Sequence, residues 1–189
     1  MLDNLRTWIN DKLTGPSEYH DLDHLPAPRA AGDQHLENLR LIVLDLETTG
    51  LNPASDKVIA VGAVAIDRLA IPLSDQFDLI LRGPELDIRE TVLIHGIGPE
   101  ALTKGHETRD ALLHLLEWMN GNPILAFHSA FDRKFLEKAL RRQLGYTQQH
   151  TWVDVAELMP AFFPGARESC KRLDHWVEHF NLDIAARHH

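Results

Sequence analysis

From Leu39 onward the chain alternates short apolar runs with polar breaks, and the spacing of those runs predicts its elements. Leu41-Ile42-Val43-Leu44 is the kind of run shown by a strand buried on both faces. Asn52-Pro53 and the polar residues to Asp56 supply a turn, after which Val58 to Ile66 reads as a second strand and Phe77 to Leu81 as a third. Three consecutive strands with short connections predict an antiparallel meander. Helical spacing takes over at Thr108 to Trp118, where Ala111, Leu112, Leu115, Leu116 and Met119 share a face before Gly121-Asn122-Pro123 stops the helix. Ile124 to Phe127 predicts a fourth strand. Phe131 to Leu144, closed by Gly145, predicts a helix with Phe135, Leu136, Leu140 and Leu144 facing inward. Thr151-Trp152-Val153 predicts a fifth short strand, with Asp154 at the N-cap of a helix ended by Pro160, and Lys171 to Phe180 is the last helix. A meander followed by strands alternating with helices predicts an α/β fold, a mixed sheet covered by helices.

Residues 1–38 follow a different pattern. Leu2, Leu5, Trp8, Ile9 and Leu13 recur at helical spacing, Gly15-Pro16 stops them, and a stretch with Pro26, Pro28, Ala30, Ala31 and Gly32 follows. This predicts an N-terminal amphipathic helix and linker over 1–38 and a single functional domain over 39–189. The length of 189 residues suits one domain with an appendage. A lone cysteine, Cys170, excludes an intramolecular disulfide framework and a cysteine-rich zinc site. No apolar run approaches the roughly 20 residues of a membrane span, and the polar start is unlike a signal peptide, so a soluble, cytoplasmic protein with no membrane partner is expected.

Charge narrows the function less than its location does. With 19 Lys and Arg against 28 Asp and Glu, the formal charge is -9, which argues against long electrostatic tracking along a nucleic-acid backbone. Carboxylates gathered around divalent ions nevertheless become a local positive site able to grip a phosphate. Asp45-Leu46-Glu47-Thr48-Thr49-Gly50 ends the first apolar run. On a strand Asp45 and Glu47 project on the same face, about 7 Å apart, and repel each other unless a cation or proton intervenes. Such hard oxygen ligands suit Mg²⁺ or Mn²⁺ rather than zinc. A second stretch, Phe127-His128-Ser129-Ala130-Phe131-Asp132-Arg133-Lys134-Phe135-Leu136, opens a helix whose first turn carries Asp132. Alone, that acid only complements a helix dipole.

Together the two stretches resemble the DEDD superfamily of 3′→5′ exonucleases, in the histidine-containing branch that includes the proofreading epsilon subunit of bacterial DNA polymerase III. Asp45-x-Glu47-Thr-Thr-Gly matches the first motif, and His128-x-x-Phe131-Asp132-x-x-Phe135-Leu136 the second, where the family usually has Asn at the first position. Leu93-Ile94-His95-Gly96-Ile97 is similar to the family's His-Gly-Ile segment, Val153-Asp154 to its Val-Asp-Thr, and Ala186-Arg187-His188-His189 to the start of its third motif, His-x-Ala-x-x-Asp. The resemblance runs from about Leu39 to His189, with order and spacing kept. It implies a ribonuclease H-like fold with a five-stranded mixed sheet and the carboxylates at the end of the first, central strand. It also implies two divalent ions, Mg²⁺ or Mn²⁺, held by Asp45, Glu47 and Asp132, with His188 taking a proton from the attacking water. Thr48, Gly50, Leu51, His95, Ile97 and His128 would contact the terminal nucleotide, Leu51 as a wedge against a base. A fourth carboxylate would lie beyond His189, so a domain cut short at its C-terminal end is expected. The implied activity is hydrolysis at single-stranded DNA 3′ ends with release of nucleoside 5′-monophosphates, beside a polymerase subunit or alone. The alternatives are RNA trimming and a catalytically weakened, polymerase-associated binding module.

Other patterns carry less. His175-x-x-Glu178-His179 fits an inverted zinc-protease motif, but only ten residues follow to supply a third ligand, and an amphipathic helix surface is expected instead. His20-Asp21-Leu22-Asp23-His24 lies in the proline-bounded segment and is expected to be solvated. Asp45-Leu46-Glu47-Thr48 also approaches the Asp-x-Asp pattern of aspartate-nucleophile phosphatases, which wants Asp as the second acid.

Overall fold

The computed structural model describes residues 22–30, 32, 34–82 and 97–183. The expected N-terminal helix, His20, Asp21, His95, His188 and His189 lie outside the described residues. Five strands, β1 (Arg40–Thr48), β2 (Val58–Asp67), β3 (Gln76–Ile80), β4 (Ile124–Ala126) and β5 (Trp152–Asp154), form one sheet in the order β3-β2-β1-β4-β5. β1 and β2 run antiparallel, as do β2 and β3, while β4 is parallel to β1 and β5 to β4. This is the ribonuclease H-like arrangement, with β1 at the centre.

Helices α1 (Pro99–Thr103), α2 (Thr108–Met119), α3 (Ala130–Leu144), α4 (Val155–Phe162) and α5 (Leu173–His179) flank the sheet. The core joins Ile42, Leu44 and Leu46 of β1 to Val61 and Ala63 of β2, to Leu112, Leu115 and Leu116 of α2 and to Phe135, Leu136 and Leu140 of α3. Burying an aliphatic side chain of this size stabilises by roughly 1.5–3 kcal/mol, so the facing stripes hold the helices on the sheet. A smaller cluster of Ala166, Cys170 and Trp176 gathers with Phe127 and Met159.

Local differences from expectation have identifiable causes. β1 is not buried on both faces: Ile42, Leu44, Leu46 and Thr48 are buried, whereas Leu41, Val43 and Glu47 are half-buried and Asp45 is exposed. α2 ends at Met119 with Asn120, left-handed at φ 49, as its C-cap, one residue before Gly121. Pro160 does not end α4, which continues to Phe162, although a proline at this place gives up its bond to the carbonyl four residues back and crowds that carbonyl. Part of the segment expected as linker lies against the domain, with Leu22 and Leu25 packed on the core and the Arg29 N–H donating to Gly121 O at 2.7 Å.

Candidate active site

The site forms where β1 outruns its parallel neighbour. β4 pairs with β1 only at Ile42 and Val43, and the Ile42 N–H donates toward that edge, to Pro123 O, at 2.9 Å. Alternate N–H groups of a strand point to the same edge, so the Leu46 N–H points there too, beyond the end of β4. Asp132 fills the gap: its Oδ1 accepts from the Leu46 N–H at 3.2 Å. The carboxylate in the first turn of α3 is thereby brought beside the strand that carries Asp45 and Glu47. Asp132 is 4 % exposed. Burial, and then the negative charge of Asp45, push its pKa from 3.8 up to about 7, with Asp154 adding to the rise and the N–H groups of Asp132 and Leu46 opposing it.

The strand opposite leaves space for a ligand. In the β1–β2 register Gly62 faces Asp45 and Ala60 faces Glu47. Gly62 is exposed, and a Cβ built on it meets nothing within 4 Å. Small residues there keep the surface beside the two acids open, a signal present in the sequence as Ala60-Val61-Gly62 that strand periodicity alone does not flag.

Two loops frame this surface. At the corner between β4 and α3, His128 is left-handed at φ 61. Its N–H and that of Ser129 donate to the two carboxylate oxygens of Asp154 at 3.0 and 3.1 Å, and Asp154 also accepts from the Ala156 N–H at 2.9 Å. Asp154 is thus the expected N-cap of α4 and, in addition, the clamp that fixes the start of α3. Asn and His are among the few non-glycine residues that tolerate a left-handed backbone, which gives His128 a conformational reason to stand where the resemblance leads one to expect Asn. The other loop follows β1. Thr48 is buried and its Oγ1 donates to Gly50 O at 2.7 Å. Asp56 Oδ2 accepts from the Asn52 N–H at 2.7 Å, and Lys138 Nζ of α3 donates to Ala54 O and Asp56 O at 3.1 and 2.9 Å. This loop presents Leu51 with 84 % of its surface exposed, outside the core. Ile97 is half-buried.

Among the described residues no three His, Cys, Asp or Glu side chains form a ready-made ligand cage. The donor set still fits a hard divalent ion: Asp132 and Asp45 are close enough for one charge to raise the other's pKa, and a cation between them would remove that repulsion. His175 is held by its neighbours instead, its Nδ1 accepting from the Lys171 N–H at 3.2 Å, and the His179 ring packs against Trp176 and Phe180.

The family model described as exonuclease (RNase_T) matches residues 42–189. The chain belongs to this exonuclease family. It is 29% identical over 157 residues to a DNA polymerase III PolC-type protein of Thermotoga petrophila, covering 83% of this chain and 11% of the relative. It is 28% identical over 158 residues to the DNA polymerase III epsilon subunit of Rickettsia typhi, covering 80% of this chain and 67% of the relative. The chain therefore spans about a ninth of the PolC-type relatives it matches. Exonuclease I shares the fold with a TM-score of 0.66 at 18% identity, over 79% of this chain and 37% of its own. A structure of the Escherichia coli enzyme in complex with a dA16 oligonucleotide matches at 0.66 and 17%, over 80% of this chain and 37% of its own. Among the described residues no helix is long and apolar enough to cross a membrane.

Proposed function

We propose that this exonuclease domain removes nucleotides from single-stranded DNA 3′ ends in a reaction dependent on Mg²⁺ or Mn²⁺, releasing nucleoside 5′-monophosphates. The observation that carries the reading is the Asp132 carboxylate seated on the Leu46 N–H beside Asp45, which unites the two stretches that resemble the family's first and second motifs. Asp45, Glu47 and Asp132 would hold two divalent ions, which supply hydroxide near neutral pH and stabilise the charge on the phosphorane and the leaving 3′ oxygen. The chain's own residues do the rest. The Leu46 N–H fixes the rotamer of Asp132, the Asp154 clamp fixes the helix that bears it, and Gly62 leaves the strand surface open to the terminal nucleotide. Leu51, with Thr48 and Gly50 beneath it, lies against the terminal base, an apolar contact that tolerates any sequence. His95, Ile97 and His128 line the same nucleotide, and His188 takes the proton from the attacking water. The similarity to epsilon subunits favours work in the cytoplasm beside a polymerase subunit.

The test is release of labelled mononucleotide from the 3′ end of a single strand, with Mg²⁺ or Mn²⁺ and with chelator. Wild-type protein degrades the strand and Asp45→Ala does not; identical behaviour of the two refutes the hydrolase reading. Matched RNA and DNA strands decide the sugar.

A further inference from the structure

A cleft of about 350 Å³ opens at the same end of the sheet as the carboxylates, between α3, the start of β2 and the end of β3. Its charged lining is Lys57, Arg82, Lys138 and Arg142 against a single acid, Asp56. In a chain of net charge -9 this excess of cations is local and runs against the whole. The four have different tasks. Arg82 is bound to Glu107, and Lys138 grips the Ala54 and Asp56 carbonyls. Lys57 and Arg142 are exposed, and among the described residues neither side chain has a hydrogen-bond or ion-pair partner. The cleft is tied to the candidate active site at two points. Lys57 O accepts from the Thr49 N–H at 2.9 Å, two residues past Glu47, and Lys57 N–H donates to Thr49 Oγ1 at 3.0 Å. Phe135, in the cleft wall, lies one helical turn beyond Asp132. Lys138 and Arg142 follow Asp132 by six and ten residues on α3, about 9 and 15 Å at 1.5 Å per residue. That is the reach of a strand a few nucleotides long.

We propose that this cleft is a second phosphate site, in which Lys57 and Arg142 hold the backbone of the same strand upstream of the nucleotide being removed. The inference rests on the exonuclease reading and assigns how that site takes hold of a polymer. The β1–β2 loop, braced by Lys138, forms the ridge between the two sites. Phosphate contacts of this kind are sequence-independent and salt-sensitive, so an acidic protein can hold a strand through two cations at one place instead of a basic face.

The test compares a twelve-nucleotide single strand with the p-nitrophenyl ester of thymidine 5′-monophosphate, which offers the reacting phosphate and no other. The variant is Lys57→Gln with Arg142→Gln, both exposed positions. It should raise KM for the strand about tenfold and lower the slope of log affinity against log salt by about 1.4, since each of the two single-strand phosphate contacts contributes about 0.7. KM for the ester should move by less than twofold. Arg141→Gln, exposed on α3 outside the cleft, should leave strand and ester alike. Anisotropy of the labelled strand in chelator reads binding independently of turnover. Wild type that hydrolyses both substrates, with strand KM, salt slope and anisotropy unchanged in the double variant, overturns the cleft site while the exonuclease reading stands. Loss of inhibition by free nucleoside monophosphate with unchanged strand KM also overturns it, in favour of a monoester site. Wild type that releases nothing from either substrate with metal present removes the exonuclease reading, and the cleft inference with it.

Discussion

Asp132 carries a stability cost that its neighbours let us size. Its carboxyl is displaced from 3.8 to about 7 by burial and by Asp45, which at about 1.4 kcal/mol for each tenfold in proton affinity is about 4 kcal/mol. The folded chain binds this proton more tightly than the unfolded chain does. Stability of the metal-free protein therefore falls as pH rises from about 4 through 7, and the full cost is in place above that. Asp132→Asn removes the charge while Oδ1 can still accept from the Leu46 N–H. At pH 4 the variant and wild type should differ little; at pH 8 the variant should be more stable, with the gap widening by about 2–3 kcal/mol between pH 5 and pH 8. Urea unfolding in chelator at unit pH intervals reads the gap directly. Saturating Mg²⁺ should raise wild-type stability at pH 8 and do little for the variant, because ions that bind the folded state stabilise it by mass action, and the variant should have lost nuclease activity. A gap that stays constant across pH, or a variant less stable than wild type at pH 8 in chelator, would refute the placement of Asp132 in a buried, anionic pocket beside Asp45.

Four further outcomes follow from the same geometry. Gly62→Val should leave stability unchanged or raise it by about 0.5–1 kcal/mol, since strand glycine is unfavourable and the space is open; strand cleavage should fall sharply because the new side chain stands opposite Asp45. In Gly50→Ala the added Cβ meets Asp56 Oδ2 at 2.5 Å, costing about 1–2 kcal/mol as the Asn52 bond breaks, and a double-mutant cycle with Asp56→Ala should show part of that cost relieved. His150 is buried and, among the described residues, both its ring nitrogens are unpartnered, and burial lowers its pKa. The unfolded chain takes up the proton first, so stability is lost as pH falls below about 6.5; His150→Phe should flatten that limb of a thermal-denaturation series. Asp154→Ala removes the acceptor of three N–H groups and should cost about 2–4 kcal/mol in urea unfolding, with slower turnover because α3 and Asp132 lose their anchor.

The sequence by itself determined the elements and the chemical types at their ends. Short apolar runs separated by turn residues marked the meander, and the facing stripes of Leu112, Leu115 and Leu116 and of Phe135, Leu136 and Leu140 marked the helices that cover it. Asp154 was legible as an N-cap because capping is decided by residues two or three apart. These signals are local, and local geometry follows from side-chain alternation, branching and caps. What only the tertiary structure decided involves residues far apart in the chain. Asp132 reaches Leu46 across 86 residues because β4 stops pairing before β1 ends, a matter of strand register. Gly62 stands opposite Asp45 by the same register, and Asp154 holds the His128 corner as well as its own helix. Lys57 and Arg142 share a cleft because α3 lies across the start of β2. Periodicity gives a residue its face on an element; which faces meet is settled by packing, where the cost of leaving Leu46 N–H or a buried carboxylate without a partner selects one arrangement.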